Sequence, residues 1–229
     1  MMAYRLVEYP SPNHDARDAA VDMLVLHYTG MKTADEALAR LCDPAAKVSA
    51  HYTIGRDGRV YRHVAEDARA WHAGVSYWGG ARNINARSIG IELVNPGHEF
   101  GYIPFTDEQI AALIDIAQEI MARHAIAPAR VLAHSDLAPA RKEDPGELFP
   151  WQALAEYRIG LWPGAGEGTA PESALARFGY GLPPDVECKS TDVIKAFQRH
   201  FRPEKIDGVW DHACGTRLAS LLAQMQAMS

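Results

Sequence analysis

Nowhere in the 229 residues does an apolar run approach the roughly 18 residues that a membrane-spanning helix needs. Basic charge is also short: 23 Lys and Arg stand against 29 Asp and Glu, a formal net charge of -6. Without a clustered basic surface a phosphate backbone meets no counter-charge, so a nucleic-acid partner is not expected. Cysteine is scarce. Cys42, Cys188 and Cys214 are odd in number and lack the close pairs of a zinc ribbon or disulfide framework, so they read as packing thiols in a reducing compartment. The opening segment "MMAYRLVEYPSPNHDARDAA" has an early arginine but no apolar h-region, cleavage pattern or lipobox-type cysteine. Cytoplasmic residence is the expectation, with periplasmic residence or non-classical release as the alternative.

What is present is an ordinary globular composition, 48% hydrophobic and 23% charged. The length suits one main domain with a small companion. "DMLVLHYTG" is a short β-rich apolar run and predicts a buried strand that delivers His27 at its end. "ADEALARLCD" has helical spacing and is stopped by Asp-Pro. "SAHYTIGRDGRVYRHV" predicts two strands around an Arg-Asp-Gly turn. "SIGIELVN" alternates, with Ile89, Ile91 and Leu93 facing one way and Gly90, Glu92 and Val94 the other, which puts Glu92 mid-strand. The helix over residues 105–126 opens with the capping box Thr106-x-x-Gln109 and carries Ile110, Leu113, Ile114, Ala117, Ile120 and Met121 as its apolar stripe. "ARVLAHSD" predicts a further strand ending at His134. Strands alternating with helices indicate an α/β fold, a mixed central sheet flanked by helices. A Gly/Pro-rich break follows, and then three short helices, "SALARFGYG", "TDVIKAFQRHF" and "ACGTRLASLLAQMQAM". So small a helical unit is marginal alone and is expected to lean on the first domain.

Strand ends and one loop offer three metal ligands, His27, His134 and Asp144. Catalytic zinc takes three protein ligands and keeps a fourth position open, so two histidines and an aspartate form an acceptable set. Taken singly, a histidine after a strand is more often a hydrogen-bonded residue than a ligand, and the chain has ten. Glu92 shifts the balance. A carboxylate inside an apolar alternating strand is costly unless a cation or polar cleft lies opposite. Beside a metal-activated water it could act as general base, and Lys142 could face the oxyanion of the tetrahedral intermediate. A solvated loop charge is the other reading of Lys142.

At these residues the chain resembles the zinc-dependent N-acetylmuramoyl-L-alanine amidases of the amidase-2 type, relatives of the peptidoglycan recognition proteins. "VLHYTG", "AWHAGVSYWGG", "SIGIELVN" and "AHSDLAPARKEDPGELFPW" occur in the family's order across residues 24–151. The resemblance implies one Zn2+ on His27, His134 and Asp144, Glu92 as general base and Lys142 as transition-state stabiliser. The implied reaction is hydrolysis of the amide between N-acetylmuramic acid and L-alanine. The implied substrates are peptidoglycan fragments, muropeptides carrying 1,6-anhydro-N-acetylmuramic acid during cell-wall recycling. Trp71, His72, Asn85 and Arg87 fall near the family's substrate cleft, although Ala86 stands where members often carry an acidic residue. His51 matches no ligand position, and His63, His98 and His124 read as surface residues.

The Gly/Pro-rich break divides the chain into a catalytic domain at 1–163, a linker at 164–171 and a three-helix unit at 172–229, which resembles a peptidoglycan-binding module and whose role is either binding or structural. Two alternatives stand beside recycling: an amidase acting on intact sacculi, and a recognition protein that does not hydrolyse.

Overall fold

The computed structural model describes residues 4–165, 168–184 and 186–228, so residues 166 and 167 of the expected linker lie outside the described residues. Among the described residues eight strands are present: β1 (Leu6–Glu8), β2 (His14–Ala16), β3 (Met23–Tyr28), β4 (Tyr52–Ile54), β5 (Val60–Arg62), β6 (Ala68–Ala70), β7 (Ser88–Leu93) and β8 (Val131–Ala133). Six form one sheet in the order β1-β5-β4-β7-β3-β8, while β2 and β6 pair separately. Only the β4/β5 hairpin is antiparallel within the large sheet. The sheet is mixed and carries helices on both faces, as expected from the alternation of elements.

The helices are α1 (Ala34–Cys42), α2 (Ile84–Arg87), α3 (Gly97–Phe100), α4 (Asp107–His124), α5 (His134–Leu137), α6 (Trp151–Glu156), α7 (Leu175–Phe178), α8 (Ser190–Phe201) and α9 (His212–Ala227). Thr33 caps α1 by accepting from Glu36 N, and the Thr106/Gln109 capping box opens α4. Of the predicted α4 stripe, Leu113, Ala117 and Ile120 are fully buried, with Ile116 beside them; Ile110, Ile114 and Met121 flank the core.

Strand alternation sorts the two faces. Leu24, Leu26, Ile89, Ile91, Leu93, Val131 and Ala133 pack toward α4 and α6. Met23, Val25 and Leu132 point the other way, into a second core shared with Leu175, Phe178, Tyr180, Phe197, Phe201 and Leu218 of the C-terminal helices. Residues two apart on a strand share a face, so His27 and Glu92 belong to the second face. The C-terminal helices therefore complete the layer in which the site lies.

Two histidines read as surface residues are placed otherwise. His63 is buried, with Nδ1 2.7 Å from Tyr9 O and Nε2 2.8 Å from Thr53 Oγ1. Its burial comes from β1 pairing across β5, a contact between segments far apart in sequence. His124 is half-buried at the end of α4 and pairs with Glu66.

Glu66 ties the hairpin to α4, accepting from Tyr52 Oη at 2.7 Å and from Arg123 Nε and Nη2 at 2.9 Å each. Burial alone would raise its pKa, but the hydrogen bonds from Arg123, Tyr52 and His124 outweigh it and bring the carboxyl down to about 2. A depressed folded pKa stabilises above the unfolded value, and that stability is lost as pH falls toward the folded value. Glu66→Gln is expected to cost roughly 1–3 kcal/mol at pH 7. In denaturant unfolding the difference from wild type should shrink between about pH 4.5 and pH 2; a difference independent of pH there would refute the assignment.

Candidate active site

In the parallel register of β3 against β7, His27 lies opposite Glu92. Strand β8 pairs with β3 through Ala133, opposite Leu26, and the chain then turns into α5, whose first residue is His134. His134 thus opens a helical turn just past the strand end. Asp144 arrives from the loop beyond α5, where Ser135 N donates to Asp144 O at 2.9 Å. The loop is braced by Tyr102, whose hydroxyl donates to Pro145 O at 2.6 Å. Gly146 has φ +88° and passes so close that a Cβ there would sit 2.4 Å from Tyr102 Oη.

The three expected ligands meet. His27 Nδ1, His134 Nδ1 and Asp144 Oδ2 form a triangle with every side 3.0 Å. All three residues are buried. Tetrahedral coordination at 2.0–2.2 Å separates donor atoms by roughly 3.3–3.6 Å, so a small outward adjustment admits a divalent ion. The outer ring nitrogens are engaged elsewhere. His134 Nε2 donates to Ala73 O at 3.0 Å. His27 Nε2 lies 3.0 Å from His72 Nδ1, His72 Nε2 lies 3.2 Å from Ser88 Oγ, and that hydroxyl donates to Ile84 O at 2.8 Å. Each member can donate to the next along this chain, which leaves the lone pair of His27 Nδ1 facing inward.

The electrostatics fit such a donor set. Burial, with His134 and Lys142 adding and Asp144 opposing, brings His27 down to about 4. Burial would raise Asp144, but the closeness of the His134 and His27 rings holds it well below the usual carboxylate range. Glu92 goes the opposite way: burial first, then the Asp144 charge, push it well above its usual value, with Lys142 opposing. Its Oε2 is buried and has no hydrogen-bond partner among the described residues. An unpartnered carboxylate oxygen beside a ligand triangle is the cost that a cation would remove.

Lys142, Glu92 and Trp71 line a cleft of about 440 Å³ that reaches His134 and Asp144. Trp71 is fixed by its Nε1, which donates to Asp15 Oδ2 at 2.7 Å. The other cleft expectations are placed differently. His72 touches the cleft, but its ring is buried and spent on His27 and Ser88. Asn85 Oδ1 accepts from His72 N at 3.1 Å and Ala73 N at 2.8 Å, fixing the turn that supplies both outer acceptors. Arg87 pairs with Asp22 before the start of β3, at the opposite end of β7 from Glu92 and away from the cleft. His51 is buried outside the triangle, its Nδ1 accepting from Gly90 N at 3.0 Å. His98, read as a surface residue, is exposed at the cleft rim and stacks on Tyr102 at 4.5 Å. Arg40 and Arg141 also line the cleft and were missed; Arg141 could have been suspected from its place beside Lys142 in the ligand loop.

Residues 17–147 match the Amidase_2 family, described as N-acetylmuramoyl-L-alanine amidase. The chain belongs to this family. The amidase AmiD of Escherichia coli (strain K12) is 42% identical over 219 residues, 83% of this chain and 78% of that protein. The 1,6-anhydro-N-acetylmuramyl-L-alanine amidase AmpD of Enterobacter cloacae is 36% identical over 161 residues, 62% of this chain and 84% of that protein. Among solved structures, AmiD from E. coli in complex with the substrate anhydro-N-acetylmuramic acid-L-Ala-D-γ-Glu-L-Lys superposes with a TM-score of 0.80 at 39% identity, covering 92% of each chain. AmpDh3 from Pseudomonas aeruginosa in complex with anhydromuramic pentapeptide gives 0.82 at 35% identity, covering 90% of this chain and 92% of that one.

In this amidase the His72 ring crosses β7 at Gly90, where a Cβ would lie 2.5 Å from the ring. His72→Ala and Gly90→Ala are both expected to weaken divalent-metal binding by about 10- to 100-fold with the fold retained. Chelator competition reads the affinity and circular dichroism the fold. Wild-type affinity in His72→Ala would mean that this ring does not orient His27.

Proposed function

We propose that this amidase binds one zinc ion on His27, His134 and Asp144 and cleaves soluble muropeptides carrying 1,6-anhydro-N-acetylmuramic acid during cell-wall recycling. The observation that carries the reading is the 3.0 Å donor triangle with the unpartnered Glu92 carboxylate in register beside it. The substrate class is taken from the muropeptides bound by the relatives. The complete donor set argues against a non-hydrolysing recognition protein.

Bound there, zinc would supply Lewis acidity toward the scissile carbonyl and the attacking water. Glu92 removes a proton from that water as its oxygen bonds to the lactyl carbonyl carbon. Lys142 presents its ammonium to the oxygen on which negative charge develops. As the carbon–nitrogen bond breaks, Glu92 returns the proton to the departing L-alanine nitrogen. The products are a muramic acid carboxylate and a free peptide amine. Trp71 gives the cleft an aromatic wall against which a sugar or peptide can pack.

We assign residues 1–163 to the catalytic domain, 164–171 to a linker and 172–229 to a helical module whose role is structural, in keeping with the core it shares with β3 and β8. Among the described residues no helix is long and apolar enough to cross a membrane. A cytoplasmic setting is supported by three free cysteines, Cys42 and Cys188 half-buried and Cys214 buried.

Purified protein is expected to contain zinc and to release the peptide from a soluble anhydro-muropeptide; activity confined to intact sacculi would overturn the recycling role. Glu92→Ala should keep its zinc and lose turnover by about 10²- to 10⁴-fold, and full activity in that variant would remove Glu92 from the mechanism. Asp144→Ala should lose the metal, as measured by atomic absorption; normal zinc content there would sink the third ligand.

A further inference from the structure

The last turn of α8 buries two polar residues against the ligand-bearing segments. Arg199 is 9% exposed and His200 2%. Such groups are costly inside a protein unless their partners are placed for them. Here the partners flank the ligands. His200 Nδ1 donates to Asp136 Oδ2 at 2.7 Å, and the same carboxylate oxygen accepts from Ala133 N at 2.9 Å. Asp136 Oδ1 accepts from Tyr180 Oη at 2.6 Å. That carboxylate therefore pins the strand-to-helix turn presenting His134. The His200 ring is held in place by stacking on Trp151, with centroids 3.8 Å apart.

Arg199 holds the other segment. Its Nη2 donates to Glu143 Oε1 at 3.0 Å, and its Nε lies 3.7 Å from Glu147 Oε2. Glu143 stands between Lys142 and Asp144 in the chain, and both neighbours line the cleft. The loop carries three carboxylates, Glu143, Asp144 and Glu147, and the first two line the cleft together with the half-buried Glu92. Two groups from outside the loop meet Glu143 and Glu147: Arg199, and at the rim His98, whose Nε2 lies 3.1 Å from Glu147 Oε2 and whose Nδ1 lies 3.8 Å from Glu143 Oε2. Because Arg199 and His200 are consecutive on one rigid helix, the helix fixes the spacing between the segment carrying His134 and the segment carrying Asp144.

We propose that Arg199 is a positioning residue of the amidase: through Glu143 and Glu147 it sets the placement of Lys142 and Asp144, so that α8 of the C-terminal helical module is part of what holds the catalytic loop. The module thereby contributes to turnover without touching substrate. The inference rests on the ligand assignment above, and its test includes a readout that needs no metal.

The test uses full-length Arg199→Gln, Glu143→Gln and the double variant. Hydrogen exchange at the backbone amides of residues 142–144, 146 and 147, measured on metal-free protein, should rise in Arg199→Gln while β3 and β7 stay protected. Zinc affinity by chelator competition and kcat should each fall by roughly tenfold, with KM on a soluble muropeptide little changed. The double variant should be no worse than Arg199→Gln alone, because the Arg199–Glu143 contact that Glu143→Gln removes is already broken there. Arg199→Lys should recover part of kcat, since a point charge still reaches Glu143. A lowered melting temperature with wild-type zinc affinity, kcat and loop exchange would reduce Arg199 to a packing residue and overturn the proposal, as would multiplicative effects in the double variant. Should Arg199→Gln not fold, Glu143→Gln, whose side chain is 52% exposed, carries the same measurements. Loop exchange that rises in a wild-type background taking up no zinc would leave the clamp standing and refute the metal reading instead.

Discussion

The structure turns on one electrostatic constraint: two imidazoles and one carboxylate are buried together, with a second, half-buried carboxylate beside them, at the ends of three neighbouring parallel strands. Parallel strands bring their carboxyl ends to one edge, where ligands of open α/β sheets are bound. Alternation then selects the face, because His27, Glu92 and the residue after Ala133 all project away from α4. Everything near them serves to hold this crowded arrangement. Gly90 leaves room for His72, Asn85 fixes the turn that carries His72 and Ala73, and Tyr102 braces the loop behind Asp144. Such a set is stable as a unit only if positive charge is shared among its members.

Much of this was legible in the sequence, because strand periodicity is local information. The pattern of "SIGIELVN" placed Glu92 opposite the apolar face, and the apolar run before His27 gave its strand. Register was not legible, since it depends on hydrogen bonds between segments far apart in the chain; that His27 lies opposite Glu92 had to be seen. Loop residues have no period, so nothing told His72, which turns back onto His27, from Trp71, which meets the cleft. Arg87 could have been separated from the cleft by arithmetic. It precedes Glu92 by five positions, and at about 3.3 Å per residue that is some 16 Å along the strand.

The C-terminal helices illustrate a different limit. Their existence followed from composition and from a Gly/Pro-rich break, and their marginal size implied dependence on the rest of the chain. Which side chains would carry that dependence was hidden. Arg199 and His200 near the end of a helix look like solvated cations that complement the helix dipole, yet both point inward to carboxylates of the ligand segments. The apolar residues of the module cover Met23, Val25 and Leu132 on the same sheet face. The boundary drawn from sequence is thus a boundary of composition, and the hydrophobic core crosses it.

The two carboxylates of the site are chemically alike and are treated in opposite ways, which is how a site separates roles among similar groups. Asp144 Oδ2 is 3.0 Å from both His27 Nδ1 and His134 Nδ1, so it stands as the third donor of a triangle that a cation would complete. Glu92 Oε2 has no such partner among the described residues. On the proposed assignment Asp144 must stay ionised and still, whereas Glu92 must alternate between two protonation states and so cannot be locked to one partner. On that assignment, exchanging the two would put a carboxyl that favours its protonated form at the metal position and leave a base too weak to take up a proton. The division of labour follows from which carboxylate the imidazoles face, and that in turn follows from Glu92 standing on the strand beside His27 while Asp144 approaches from the loop in front of it.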